Sequence, residues 1–192
     1  MEKELQLLAG DIIFTQSPTF LGRLIRRFTR QKGEDKTEAG HCGMVTSRGK
    51  FLSNKFPSAF IVEALNKVAY HSMYKAFVGT KIKVLIYRPI GLTFDQKYEI
   101  VRYTENYIGA TYGYGKLILH FFDWMLGNRQ IFRRLMVLQK YPICSYLVAK
   151  AYASIDKDFG IKAKFASPDD ICDFCQTHPK KYEKIWGWGI IK

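Results

Sequence analysis

The chain has 192 residues, a length that suits one domain with a proper core, and its 47% hydrophobic and 24% charged content are globular values. Thirty Lys and Arg against seventeen Asp and Glu leave a formal charge of +13, which draws a protein to nucleic acid, acidic lipid headgroups or anionic cell-wall polymers. No stretch approaches the roughly eighteen uncharged apolar residues of a spanning helix, and M-E-K-E-L-Q-L-L-A-G-D at the start has acids in place of a secretory apolar run. With no export signal, the four cysteines are expected to be reduced thiols in a cytosolic compartment, in a cellular or a virus- or phage-encoded protein.

Asp11 to Thr15, D-I-I-F-T, is a short apolar run behind Gly10 and suits a first buried strand. Ser17-Pro18 then opens a helix as N-cap and first helical residue. Phe20, Leu21, Leu24, Ile25 and Phe28 form its apolar side, while Arg23, Arg26, Arg27, Arg30 and Lys32 crowd the other. Such a basic face is either simply solvated or a contact for an anionic membrane or polymer. A polar loop over Gln31 to Gly40 leads to H-C-G-M-V-T, a short strand beginning on His41.

Phe60 to Leu65, F-I-V-E-A-L, is the next strand, and alternation puts Ile61, Glu63 and Leu65 on one face. A carboxylate among aliphatic side chains needs a partner, and His41 on a neighbouring strand is available. Val68 to Tyr74 fits a strand or a turn. K-I-K-V-L-I-Y-R, Lys81 to Arg88, is a strand closed by Pro89. Thr93 caps a helix with Phe94, Tyr98, Val101 and Ile108 as core candidates and Gly109 as its stop.

After the aromatic-glycine loop T-Y-G-Y-G at Thr111, the segment Lys116 to Lys140 has the pattern of two apolar helices joined at Gly127-Asn128. They either pack as a sub-bundle or wall a greasy channel. Y-P-I-C-S-Y-L-V-A-K-A-Y, Tyr141 to Tyr152, opens a helix with Pro142 in its first turn and buries Leu147, Val148, Ala151 and Tyr152. Cys144 thus stands where unpaired N–H groups and the helix dipole lower a thiol's pKa, although a small buried core cysteine is the alternative. S-P-D-D-I at Ser167 starts another helix, carrying Cys172 and Cys175. This lone C-x-x-C has no second pair and no trailing histidines, so two helix-face thiols are expected rather than a metal site. K-I-W-G-W-G-I-I-K makes a final strand.

Cys144, His41 and Glu63 can be assembled as nucleophile, base and orienting acid for thiol acyl transfer. Taken in order, G-D-I-I-F at Gly10, H-C-G-M-V at His41, V-E-A at Val62, K-V-L-I-Y-R, Y-I-G-x-x-Y at Tyr107, C-S-x-L-V at Cys144 and S-P-D-D-I at Ser167 resemble one family. It is the circularly permuted NlpC-type papain-like cysteine hydrolases, in particular the YiiX-like branch, with lecithin:retinol acyltransferase-like proteins more distant. His before Cys, the reverse of papain, is the order such a permutation gives. The resemblance implies an α+β fold over residues 1–192, with a small, mostly antiparallel sheet, the nucleophile helix packed on it, and 116–140 as a helical insertion. It implies Cys144 as nucleophile, His41 as base, Glu63 as the orienting residue, and Tyr112, Tyr114 and Ser145 at the substrate end, with no cofactor or metal and no nucleic-acid partner. Tyr146 stands where the family commonly has Glu, in Cys-Ser-Glu-Leu.

Two classes of function follow. The first is a thiol hydrolase acting on an amide, either a peptide bond or a peptidoglycan-type isopeptide; a lipid or fatty-amide hydrolase or acyltransferase would use the same triad. The second is a non-catalytic basic binding or virion component on an old hydrolase scaffold.

Overall fold

A computed structural model describes residues 5–18, 23, 26, 37–47, 49–51, 59–65, 67–111 and 144–191. Outside these lie Tyr112, Tyr114, the Lys116–Lys140 segment, Pro142, and the Arg27 and Arg30 half of the basic face. Arg23 and Arg26 are helical, Arg23 is exposed, and Arg26 Nη1 donates to the Ser17 carbonyl at 3.4 Å.

Eight strands are described: β1 (Leu5–Leu7), β2 (Ile12–Gln16), β3 (His41–Val45), β4 (Gly49–Phe51), β5 (Phe60–Ala64), β6 (Val68–Ser72), β7 (Lys83–Pro89) and β8 (Tyr182–Ile190). Helices α1 (Met73–Phe77), α2 (Phe94–Glu105), α3 (Cys144–Ala153) and α4 (Pro168–Thr177) complete the described elements, with a 3-10 turn at Ala163–Phe165. Six strands form one antiparallel sheet in the order β6-β5-β3-β2-β7-β8, and β1 pairs with β4 separately. The protein is therefore α+β, with strands gathered before residue 90 and helices dominating after it.

Strand alternation sorts the apolar side chains into two layers. Ile12, Phe14, Cys42, Met44, Val62, Ala64, Leu85 and Tyr87 join Cys144, Leu147, Val148, Ala151 and Tyr152 of α3 in one core. Ile13, Val45, Ile61, Val84 and Ile86 pack with Leu7, Met73 and Phe77 in the other. The stripe expected on the cysteine helix is buried throughout, and α3 lies against β3 and β5. Val68 to Ser72 resolves as strand because β6 pairs with β5 over five residues, Phe60↔Ser72 through Ala64↔Val68.

Both capped helices begin where their capping residues stand. Thr93 Oγ1 accepts the Gln96 N–H at 3.2 Å while Gln96 Oε1 accepts the Thr93 N–H at 3.1 Å. Ser167 and Asp170 make the same reciprocal pair at 2.7 and 3.1 Å. The core face expected for α2 is wrong, however. Phe94, Tyr98 and Ile108 are exposed and Val101 is half-buried, while Ile100 and Thr104 are buried. The covered side of α2 takes Ile100, the partly buried Tyr103 and Thr104, whose hydroxyl donates to the Val101 carbonyl at 2.7 Å. Leu65 also departs from expectation: the strand ends at Ala64, and Leu65 turns outward, 45% exposed.

Candidate active site

β3 begins on His41, β5 carries Glu63, and α3 begins on Cys144. His41 Nε2 is 2.8 Å from Glu63 Oε2, and the carboxylate is buried while the imidazole keeps a limited opening to solvent. Nε2 thus donates its N–H to the Glu63 carboxylate, and Nδ1 is the nitrogen left for the thiol. Gly43 of β3 lies close against Glu63 of β5, where there is little room for a side chain. A Cβ there would stand 3.2 Å from Glu63 Cβ and 3.1 Å from the Val62 carbonyl oxygen. Without it, the Glu63 side chain can lie across β3 and run along it to His41.

Charge sets the state of the three groups. Burial works against the Glu63 carboxylate, but the hydrogen bond and charge of His41 outweigh it and hold Glu63 below the usual carboxylate range. Burial likewise works against the imidazolium. The Cys144 thiolate, by charge and hydrogen bond, and Glu63 overcome it and push His41 up to about 10. Cys144 is held well below an ordinary thiol by a hydrogen bond from the Cys42 side chain, against its own burial, and by the charge and hydrogen bond of His41. The favoured state is a thiolate–imidazolium pair backed by a carboxylate. Such a group can attack a carbonyl carbon at neutral pH. As the first residue of α3, Cys144 also lies beside backbone N–H groups that lack helical partners.

Ser145 departs from its expected place beside substrate. It is fully buried, and its hydroxyl has no hydrogen-bond partner among the described residues. The helix turns this side chain into the core, so only its backbone could face a bound molecule. Tyr146 has a clear local role: it hydrogen-bonds Tyr107, whose hydroxyl is 3.1 Å from that of Tyr103. Three tyrosines therefore join α2 to the first turn of α3, where a glutamate would lack that aromatic contact. Cys172 and Cys175 are both buried on α4 as helix-face thiols, with Gln176 Nε2 donating to Cys172 Sγ at 3.6 Å. Among the described residues, no group of three or more His, Cys, Asp or Glu is arranged to hold a metal ion.

Sequence reasoning missed Cys42 and Asp169. Alternation sends Cys42 to the opposite side from His41, which hides it as a neighbour of Cys144. Asp169 resembled an ordinary first-turn acid, yet its Oδ1 accepts the N–H groups of Glu38 at 2.8 Å and Ala39 at 3.0 Å, just ahead of His41. A carboxylate only 2% exposed needs such donors.

No protein-family profile matches the chain, and no curated protein sequence matches it. Among solved structures it is similar to the crystal structure of metalloprotein yiiX from Escherichia coli O157:H7, at 19% identity and a TM-score of 0.49. That similarity covers 82% of this chain and 71% of the other.

Proposed function

We propose that the protein is a cysteine hydrolase of the permuted papain-like kind that cleaves an amide, a peptide bond or a peptidoglycan-type isopeptide. The observation that carries this reading is the His41–Glu63 hydrogen bond at 2.8 Å beside a helix that begins on Cys144, with His41 pulling the thiol down and the thiol pushing the imidazole up. The Cys144 sulfur attacks the carbonyl carbon, and the developing oxyanion is held by N–H groups at the start of α3. The C–N bond breaks as the imidazolium gives its proton to the leaving amine, and a thioester remains on Cys144. His41 then takes a proton from water, whose oxygen displaces the sulfur and leaves a carboxylate product. Glu63 keeps the imidazole in the tautomer this sequence needs.

The test is labelling with a thiol-directed acyl probe, wild type beside Cys144→Ala and His41→Ala. Rapid labelling of the wild type, lost in Cys144→Ala and slowed in His41→Ala, is the expected outcome. Equal, slow labelling of wild type and His41→Ala would leave a non-catalytic binding protein as the better account. Peptide, muropeptide and fatty-acyl amides offered to the wild type then divide the substrate classes.

A further inference from the structure

Helix α2 turns a largely apolar stripe to solvent. Phe94, Tyr98, Val101 and Glu105 follow one another at spacings of four, three and four, the period of a helix–helix seam. Phe94 is 81% and Tyr98 62% exposed, while Ile100 and Thr104 mark the side that the core covers. At the C-terminal end of the helix the stripe is widened by Tyr70 of β6, itself exposed, whose hydroxyl donates to Glu105 Oε1 at 2.8 Å. Two open aromatic rings on one helix face, with a third beside its end, mark a binding surface.

The charges beside the stripe decide what covers it. Helix α2 holds three acids, Asp95, Glu99 and Glu105, against two bases, Lys97 and Arg102, so an anionic surface is poorly matched here in spite of the chain's +13. Asp95 and Arg102 are both exposed and stand seven residues apart, which is two turns with about 20° of drift, so they share one flank of the stripe. Arg102 Nε and Nη2 each donate to the Glu99 carboxylate at 2.9 Å, which leaves Nη1 for a second carboxylate. We propose that this face docks on the same face of a second copy of the chain, with the two α2 helices antiparallel about a two-fold axis.

Antiparallel docking brings Asp95 of each copy to Arg102 of the other, and the two-fold axis makes that ion pair twice. At the centre Tyr98 of one copy lies on Val101 of the other. Phe94 then covers the aliphatic stem of Glu105 beside Tyr70. Parallel docking would instead set Lys97 against Arg102, two like charges, so the flanks select orientation as well as partner. One pair of short helices is a small contact beside the roughly 1,200–2,000 Å² of a stable interface, so the dimer is weak, with a dissociation constant on the order of 10 µM.

The experiment is sedimentation equilibrium of the full chain from about 1 to 300 µM, a range that brackets so weak a dimer. Wild type is compared with Asp95→Arg, with Arg102→Asp and with an equimolar mixture of the two variants, all checked for folding by circular dichroism. Wild type should pass from monomer to dimer. Each variant alone meets like charges at both symmetric contacts and should associate about tenfold more weakly or worse. The mixture restores opposite charges at both contacts and should associate as wild type does. A wild type that stays monomeric overturns the proposal, as does a dimer that both variants leave intact. A mixture no better than its components overturns it too. Should the charge variants not fold, Phe94→Ser serves, since that side chain is 81% exposed and packs little in the monomer. It should weaken the dimer about tenfold, and an unchanged dimer would place the contact elsewhere. A monomeric wild type that binds phosphatidylglycerol vesicles, with binding lost in Phe94→Ser, would give the face to lipid and end the proposal.

Discussion

Gly43 and Glu63 approach more tightly than most side-chain-bearing pairs, since a Cβ at 43 would stand 3.2 Å from Glu63 Cβ. The neighbour it would crowd is a side chain already committed to His41, and the Val62 carbonyl at 3.1 Å is backbone that cannot yield easily. Gly43→Ala should therefore cost about 1–3 kcal/mol of stability, the usual range for overpacking. It should also lower turnover by pushing the carboxylate off the imidazole. Thermal unfolding and probe labelling, measured side by side, check this. Unchanged labelling in a destabilised variant would show that Glu63 keeps its hold on His41 by another path.

Glu63→Gln removes a charge and keeps the shape. The imidazole retains a hydrogen-bond partner, but the imidazolium loses the carboxylate that helps hold its proton. The fold and most of the thiol reactivity should survive, with turnover falling on the order of 10²-fold. His41→Ala should cost more, because the thiolate then loses its counterion and its titration rises toward about 8.5. Steady-state rates on any substrate found by labelling give the order; Glu63→Gln losing more than His41→Ala would reverse the assigned roles.

The sheet was legible in the sequence because β2, β3, β5 and β7 are short apolar runs bounded by turn or charged residues, and alternation alone puts a partner-seeking carboxylate at Glu63. Helices α3 and α4 were legible from their starts, a first-turn cysteine behind proline and a Ser-Pro cap. The face of α2 was not, because periodicity marks which residues share a side without saying which side is covered. Phe94 and Tyr98 do share a side, and it is the open one. Cys42 and Asp169 were hidden for a different reason. Their importance comes from contacts across β3 and between α4 and residue 38, and no local pattern encodes such pairings.

Activity should hold across a wide pH window, bounded by the two members of the ion pair. On the acid side, turnover falls as Cys144 takes up a proton, and this happens well below an ordinary thiol's 9.0. On the alkaline side, the leaving amine loses its proton source when the imidazolium, pushed up to about 10, is titrated. Between these limits the pair carries one proton, on the histidine. A kcat/KM profile for wild type should thus be flat through neutrality and fall near pH 10. In Glu63→Gln the alkaline limb should move down, since one of the groups supporting the imidazolium has gone. A single acid limb centred near 9 would mean a neutral thiol and imidazole at rest.

The last prediction separates support of the site from support of the fold, using two buried polar contacts. Asp169 accepts the N–H groups of Glu38 and Ala39, three and two residues before His41, while the Glu38 carboxylate is held by Gln176 at 2.8 Å and Trp188 at 3.3 Å. This clamp fixes the direction in which the chain enters β3, reinforced by the Gly40 N–H on the Thr15 carbonyl at 3.0 Å. Tyr152, at the other end of α3, donates its buried hydroxyl to the Gly10 carbonyl at 2.6 Å. Asp169→Ala strands two backbone donors and should cost on the order of 2–3 kcal/mol, and Tyr152→Phe should cost about 1–2 kcal/mol for one lost bond. Their effects on chemistry should differ. Asp169→Ala frees the segment that aims the imidazole, so kcat should fall about tenfold or more with the Cys144 inflection rising, as expected for a small misplacement of a catalytic group. Tyr152→Phe leaves His41 untouched and should keep kcat and the pH profile of wild type. Both are measured at a temperature where each variant is fully folded by circular dichroism. Equal loss of activity in the two, or none in Asp169→Ala, would show that the α4 clamp serves the fold and not the alignment of His41 with Cys144.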